Sequence, residues 1–412
     1  KLLLASRIVQ LPGTPRLHSI FTAAMYHPVQ MKILAAALLL PTVTYAGEII
    51  GHRGIPARIP ENTLESMRAA YEYGADIVEM DVRLSADGKA VIMHDEDVSR
   101  TTGSTGRVDA MTLAQLKSLD AAGAVSSFRG KGYKIPTLAE AMATARDYHR
   151  KLLIDIKVPG LRPHILSAQR ETGIPAEQVK VLLYPYWPEE RRDLGLGLPA
   201  NTFLANWGNN FYLKAASAAT PFRQAGIDGA MMAPGENYQE DIDRIHSWGF
   251  QVSMIYAPRR SAFFWLDAGV DSFWTDDVAD TMQYYRQLSD QWNNWCQKWN
   301  LAGDQKATRM DPDGDGRTNL EEYATGTNPL QPDKAKSPEP LLVSGKLEWS
   351  MELAENWSQF VKVIPQAGGL DGQWSDLDAS NITMLDEKRM RFRIPGNDSL
   401  RLLRVRFELP TQ

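Results

Sequence analysis

From residue 48 onward, short apolar runs alternate with longer stretches whose apolar positions recur at helical spacing. The short runs cover residues 49–52, 77–82, 90–93, 152–156, 179–183, 202–205, 229–232, 251–255 and 272–275. Several are apolar at nearly every position, Val179-Lys180-Val181-Leu182-Leu183 among them, as strands covered on both faces should be. Between them, residues 63–73, 137–149 and 241–248 carry a helical period, and Thr63 stands where a helix cap belongs. Strands alternating with helices predict an α/β fold with a parallel sheet, and its expected closure is a (β/α)8 TIM barrel over residues 47–282. Nine candidate strands compete for eight places, so one is expected to be accessory or misplaced. Residues 95–135 are Gly- and Ser-rich with one clear helix at 113–119, and read as an insertion over one mouth of the barrel.

The pattern changes near residue 281. Tyr285, Leu288, Trp292, Trp295 and Trp299 fall on one helical face, which predicts an aromatic surface covered by packing. Residues 283–330 thus read as a Trp-rich helix followed by a cation-binding loop. After a Pro- and Lys-rich linker at 331–340, residues 341–412 read as a small antiparallel β module, because 390–394 and 402–407 alternate with period two.

At the other end, Met31-Lys32 opens a largely apolar run, residues 33–45, and Thr44-Tyr45-Ala46 gives a small-x-small exit. That order predicts a signal peptide at 31–46, cleaved after Ala46, and a secreted or periplasmic protein; residues 1–30 form an upstream segment before a plausible start methionine. No apolar run approaches the ~20 residues needed to span a bilayer, so no stable membrane span is expected.

Composition narrows the classes. With 43% hydrophobic and 23% charged residues, the chain of 412 can bury a core, which excludes wholesale disorder. Net charge is −5, and the acidic excess grows after residue 46, because Lys1, Arg7, Arg16 and Lys32 precede that point without any acid. A nucleic-acid-binding body is disfavoured. The single cysteine, Cys296, has no disulfide partner, so any metal must be held by oxygen or imidazole.

Polar groups collect at strand ends in Gly51-His52-Arg53-Gly54, Glu79-Met80-Asp81, His94-Asp95 and Asp155-Ile156-Lys157. Residues i and i+2 of a strand face one side, so Glu79 joins Asp81 and Asp155 joins Lys157. In a parallel barrel such ends meet at one mouth. Three carboxylates gathered there would repel one another unless a cation lay between them, and a hard divalent ion, Mg²⁺ or Ca²⁺, meets that need. His52 and His94 suit proton transfer, and Arg53 with Lys157 supplies charge for an anionic substrate. The sum predicts metal-assisted phosphoester chemistry.

These strand ends, with Pro60-Glu61-Asn62-Thr63, Gly74-Ala75-Asp76, Asp87-Gly88, Arg100-Thr101-Thr102-Gly103, Ile135-Pro136-Thr137-Leu138, Gly269-Val270-Asp271 and Thr275-Asp276, resemble the glycerophosphodiester phosphodiesterase family from about residue 48 to 280. The resemblance implies a (β/α)8 barrel that cleaves small-molecule glycerophosphodiesters, such as glycerophosphocholine, to glycerol 3-phosphate and an alcohol with a divalent metal. It implies His52 and His94 as the acid/base pair, Glu79, Asp81 and Asp155 as metal ligands, Arg53 and Lys157 as phosphate contacts, and Glu61 supporting the site from its loop or reaching the metal. Two positions depart from the family pattern. Asp155 stands where the family usually has Glu, and Ser253-Met254-Ile255-Tyr256 stands where it often has Trp-Thr-Val-Asn. An Asp at the third ligand position also occurs in related phospholipase-D-type toxins, so an enzyme acting on lysophospholipid or sphingomyelin headgroups is the runner-up. A non-catalytic barrel that binds phospholipids or surfaces is the third reading.

In residues 311–322, oxygen donors stand at loop positions 1, 3, 5, 9 and 12 (Asp311, Asp313, Asp315, Asn319, Glu322), with Gly316 at the turn and the Arg317 carbonyl at position 7. This spacing matches a calcium loop of EF-hand type, and residues 323–329 resemble short calcium repeats of extracellular proteins. A structural Ca²⁺ site is expected there. The β module beyond it is the candidate for envelope or surface attachment.

Overall fold

The computed structural model describes residues 47–183, 202–204, 227–233, 238–332, 339–343, 346–354, 362–368, 374–393 and 402–408. The upstream segment and signal peptide expected at 1–46 lie outside the described residues, as does Ala205 at the end of the expected sixth strand.

Nine strands form the first sheet: β1 (Glu48–Gly51), β2 (Ile77–Leu84), β3 (Ala90–Ile92), β4 (Lys151–Ile156), β5 (Val179–Leu183), β6 (Thr202–Leu204), β7 (Ile227–Met232), β8 (Gln251–Met254) and β9 (Ser272–Thr275). All but β3 pair in parallel in the order β1-β2-β4-β5-β6-β7-β8-β9, and β9 pairs back onto β1 (Ile50↔Trp274), so the ring closes as a TIM-type barrel. The surplus strand is β3. It runs antiparallel along the outer end of β2, with Val82↔Ile92 and Leu84↔Ala90. This corrects the reading that placed His94 at the end of a parallel barrel strand. The turn after β2 is closed by Ser85 N–H donating to Lys89 O, with Gly88 at φ +67°, and a connection that short makes a hairpin rather than a crossover. His94 still reaches the mouth, because the hairpin folds back until Met93 N–H donates to Asp81 O at 2.9 Å.

Helices cover the outside. Those that matter here are α1 (Leu64–Tyr73), α2 (Ser99–Thr102), α3 (Leu113–Ser118), α4 (Leu138–Asp147), α5 (Arg162–Thr172), α6 (Tyr238–Ser247), α7 (Ala262–Asp267), α8 (Val278–Lys298) and α9 (Asn319–Thr325). Thr63 caps α1, its hydroxyl accepting from Ser66 N–H, and Thr137 caps α4 with a reciprocal Glu140 contact. Inside the ring, Ile50, Ile77, Leu153, Leu182, Met231, Ile255 and Trp274 form a buried apolar cluster. The insertion at 95–135 has a core of its own, in which Val98, Val108, Leu116 and Ala121 pack on Val91, Met93 and Ile135.

The boundary expected at 282 falls inside α8, which serves as the last barrel helix and also carries the Trp face. Trp292 and Cys296 are buried. Trp292 stacks on Trp295 at 4.9 Å between ring centroids, and Tyr323 of α9 lies 5.8 Å from each. The tail forms two antiparallel sheets. β10 (Glu339–Val343), β11 (Lys346–Glu352), β15 (Arg389–Arg393) and β14 (Ile382–Met384) make one; β13 (Trp374–Asp376), β12 (Lys362–Gly368) and β16 (Leu402–Glu408) make the other. Met351, Leu353, Met390 and Phe392 form its core, with Val363 and Val405 of the second sheet packed against it.

Candidate active site

The barrel plug and the site above it follow from one rule, the two-residue period of a strand. Ile50, Ile77, Leu153 and Trp274 face the interior, so on each strand the residue two places further on also points inward, one layer nearer the mouth. Those residues are His52, Glu79, Asp155 and Asp276; two further still come Asp81 and Lys157. The polar layer is therefore placed by the same parity that fills the core.

Oxygens of Glu79, Asp81 and Asp155 lie within 4.8 Å of one another, and all three residues are buried. Lys157 Nζ reaches Asp155 Oδ2 at 2.6 Å and Asp81 Oδ1 at 3.0 Å. Arg53 Nε lies 3.2 Å from Asp81 Oδ2, and its backbone N–H donates to Glu79 Oε2 at 2.9 Å. The chain turns sharply to allow this, with Arg53 at φ +54° and Gly54 at φ +94°. A Cβ on Gly54 would lie 2.4 Å from Ser66 Oγ, so no other residue fits. Asn62, also left-handed at φ +57°, donates from Nδ2 to Asp81 Oδ2 at 2.7 Å. Such outliers mark positions that the surrounding structure holds on purpose.

Burial, then the neighbouring charges of Asp81 and Asp155, push the Glu79 carboxyl well above the usual carboxylate range. Burial would raise Asp81 too, but Lys157 and Arg53 hold it below its ordinary value. Glu79 Oε1 is buried without a hydrogen-bond partner. An all-oxygen set with an orphaned carboxylate oxygen and mutual repulsion fits a hard divalent cation.

Both histidines are oriented by carboxylates. His52 Nδ1 meets Asp276 Oδ1 at 2.7 Å, which directs Nε2 toward Glu79, 3.9 Å away, and the ring lies 5.7 Å from that of Trp274. His94 Nδ1 meets Asp95 Oδ1 at 2.6 Å, and Asp95 in turn is bound by Arg100. Arg100 also forks onto Glu61 at 2.7 and 2.8 Å, and Arg53 Nη1 reaches Glu61 Oε1 at 3.1 Å. Glu61 is thus occupied by two guanidinium groups and braces the site. All seven residues expected at the mouth converge, and Glu61 lies beside them.

Four functional positions were not assigned from sequence: Asp276, Asp95, Arg100 and Asn62. Asp276 pairs with a residue 224 positions away across the β9–β1 closure. Tyr256, already marked as a departure from the family pattern, stands exposed just beyond β8 at φ +62°.

Comparison with known proteins meets the geometry here. Residues 52–177 match the glycerophosphoryl diester phosphodiesterase family. That family segment holds His52, Arg53, Glu61, Glu79, Asp81, His94, Asp155 and Lys157. A glycerophosphodiester phosphodiesterase of Caldanaerobacter subterraneus subsp. tengcongensis is 39% identical over 128 residues, 30% of this chain and 52% of that protein. Human glycerophosphodiester phosphodiesterase 1 is 41% identical over 110 residues, 26% of this chain and 33% of its own. The chain thus matches about half the length of the first relative and a third of the second. A solved structure from Agrobacterium tumefaciens that carries the glycerophosphoryl diester phosphodiesterase name superposes with a TM-score of 0.50 at 19% identity, over 58% of this chain and 98% of that one. That likeness speaks for the fold.

The second cluster lies in the loop before α9. Oxygens of Asp311, Asp313 and Asp315 lie within 4.8 Å of one another. Gly314 and Gly316 turn the loop at φ +74° and +92°. Glu322 stands just outside this set; burial and then the charge of Asp313 push its carboxyl up to about 7. Neither of its buried oxygens, nor Asp313 Oδ2 or Asn319 Oδ1, has a donor of normal hydrogen-bond geometry. Asn319 also staples the loop, its Nδ2 donating to Gln305 O and Ala307 O at 2.6 and 2.8 Å. Arg317, expected to offer its carbonyl, additionally reaches Asp315 Oδ2 through Nη2 at 3.1 Å.

Proposed function

We propose that this protein is a metal-dependent phosphodiesterase that hydrolyses glycerophosphodiesters, such as glycerophosphocholine, to glycerol 3-phosphate and an alcohol. The observation that carries the reading is the convergence, at one barrel mouth, of a buried three-carboxylate set, two carboxylate-oriented histidines and two cations inside the segment matching the family. Glu79, Asp81 and Asp155 would hold Mg²⁺ or Ca²⁺, which when bound supplies charge neutralisation and polarisation at a phosphodiester. Arg53 and Lys157 then meet the anionic phosphate. One imidazole takes the proton of the attacking oxygen and the other delivers one to the departing alkoxide, a strong base that leaves slowly without it. Asp276 and Asp95 hold the two rings so that Nε2 faces the reacting groups.

Asp155 at the third ligand position and Tyr256 at the mouth favour a second reading, in which the alcohol side admits a larger lysophospholipid or sphingomyelin headgroup. Phosphate-ester release from glycerophosphocholine, glycerophosphoethanolamine, lysophosphatidylcholine and sphingomyelin, with and without chelator, decides between them. Turnover of the first two alone supports the leading reading. Release from none of the four, with metal present, would overturn both.

The proposal extends to the loop and to location. The loop at 311–322 holds a structural Ca²⁺, supported by its buried, undonated oxygens. The signal pattern at 31–46 sends the protein out of the cytoplasm, where calcium would be plentiful. Cell fractionation checks this: mature protein recovered in the cytoplasm with residues 31–46 attached would refute export.

A further inference from the structure

The insertion between β3 and α4 carries a charged patch that the chemistry of the mouth does not use. Residues 121–135 contain Arg129, Lys131 and Lys134 and no acid, in a chain whose net charge is −5. Most cations elsewhere around the mouth are matched: Arg53 by Glu61 and Asp81, Arg100 by Asp95 and Glu61, Lys157 by Asp81 and Asp155, Arg58 by Asp277, and Arg107 by Glu96 and Asp109, while Arg83 donates to the His94 carbonyl. Among the described residues, none of the three insertion cations meets a carboxylate. Arg129 Nε donates to Gly123 O at 2.6 Å, Lys134 Nζ to Leu119 O at 3.4 Å, and Lys131 Nζ sits 5.3 Å over the Phe128 ring. The nearest acid in sequence, Asp120, spends its carboxylate on the backbone N–H groups of Ala122 and Gly130, at 3.0 and 2.7 Å.

Apolar groups are interleaved with this charge. Val125 is 43% exposed, and half-buried Phe128 and Tyr133 meet edge to face at 5.8 Å. The backbone is pre-formed, since Phe128 and Arg129 N–H both donate to Val125 O at 2.9 Å. Ala124 N–H donates to Thr101 O at 3.0 Å, so the patch hangs from the residue after Arg100, on the His94 side of the mouth.

We propose that residues 121–134 form a rim that docks the protein on an anionic phospholipid bilayer. Unmatched lysine and arginine supply the attraction to anionic headgroups, and an exposed aliphatic tip flanked by two aromatics suits the headgroup boundary, where a bare polyanion would leave Val125 in water. With three cations and no acid over residues 121–135, this face is drawn to a negative surface. The inference stands apart from the phosphodiesterase reading, since docking needs no turnover.

Sedimentation of the full chain with phosphatidylcholine vesicles, with and without phosphatidylglycerol, tests it at low and high salt. Binding should require the anionic lipid and fall with salt. Each cation removed should cost roughly fivefold, so Lys131→Gln with Lys134→Gln should weaken binding roughly 25-fold. Val125→Asp should weaken it several-fold more than Ser126→Asp, which adds the same charge beside it. Both Lys131→Gln/Lys134→Gln and Val125→Asp should melt with the parent and hydrolyse soluble glycerophosphocholine at the parental rate. Equal binding to neutral vesicles, parental binding by the double variant, or displacement by single-stranded RNA as effective as by anionic vesicles would each overturn the proposal. Vesicle binding by a protein inactive on every diester would leave the docking rim standing while the phosphodiesterase reading fell.

Discussion

Two clusters of acidic residues lie in one chain, and their surroundings differ more than their compositions. At the barrel mouth, Glu79 and Asp81 come from β2 and Asp155 from β4, all are buried, and two cations and two histidines share their space. In the loop, Asp311, Asp313 and Asp315 come from one short segment, are half-buried, and have Arg317 for a neighbour and no histidine in the set. Gathered carboxylates make a place for a cation in both. Only the first puts proton carriers and phosphate-binding charge beside it. On the function proposed above, the difference gives reaction to one cluster and mechanical support to the other, and each prediction below tries to erase that difference.

The largest effect should come from His94→Ala. Loss of a general acid or base costs typically 10²–10⁴-fold, so kcat on glycerophosphocholine should fall by about 10³-fold with the melting temperature nearly unchanged. Activity within tenfold of the parent would remove the feature that separates the two clusters.

Within the mouth, Glu79 and Asp81 should respond with opposite signs. Glu79 is raised by burial and by its acidic neighbours, so its charge costs stability in the metal-free fold, and Glu79→Gln should melt at or above the parent. Asp81 is buried but paired with Lys157, Arg53 and Asn62, so Asp81→Asn strands those donors and should cost about 3 kcal/mol. Both should bind metal more weakly and turn over more slowly. Chelator-treated samples compared by thermal melts decide it; equal destabilisation would mean that the three carboxylates are not in conflict.

How far the site could be seen in the sequence follows from the range of the rules. His52, Glu79, Asp81, Asp155 and Lys157 were legible because strand parity acts over two residues, and the calcium-type loop because its spacing lies within one segment. The direction of β3 was not, since alternation of apolar residues is the same in a parallel and an antiparallel strand. Nor was the pairing of Asp276 with His52, which exists only once β9 closes on β1. The division of the tail into two sheets is likewise set by long-range pairing, such as Val363↔Phe407, and no local pattern encodes it.

Calcium should act on stability where it does not act on turnover. Saturating the loop at about a hundredfold over its dissociation constant would contribute about 2.7 kcal/mol, or roughly 5–10 °C in melting temperature. With the mouth already saturated by Mg²⁺, that increment should vanish in Glu322→Gln and persist in Glu79→Gln, while Glu322→Gln keeps its hydrolytic rate. A calcium increment lost in Glu79→Gln instead would assign the stabilising ion to the mouth and reverse the comparison.

The smallest effect tests how the loop's stability reaches the barrel. Trp292 of α8 donates from its indole N–H to Lys306 O at 2.8 Å, stacks on Trp295 and meets Tyr323 at a tilt of 47°, and the helix of Tyr323, α9, begins inside the loop. Trp292→Phe keeps an aromatic ring there but removes the donor, leaving the Lys306 carbonyl unmatched at a cost of about 1 kcal/mol. The variant should melt a few degrees lower in calcium, bind calcium with parental affinity, and show a smaller rise in melting temperature on calcium addition. A full-sized rise would mean that the ion's effect reaches the barrel by other contacts, such as Thr308 to Asp267 or Trp295 against Tyr323.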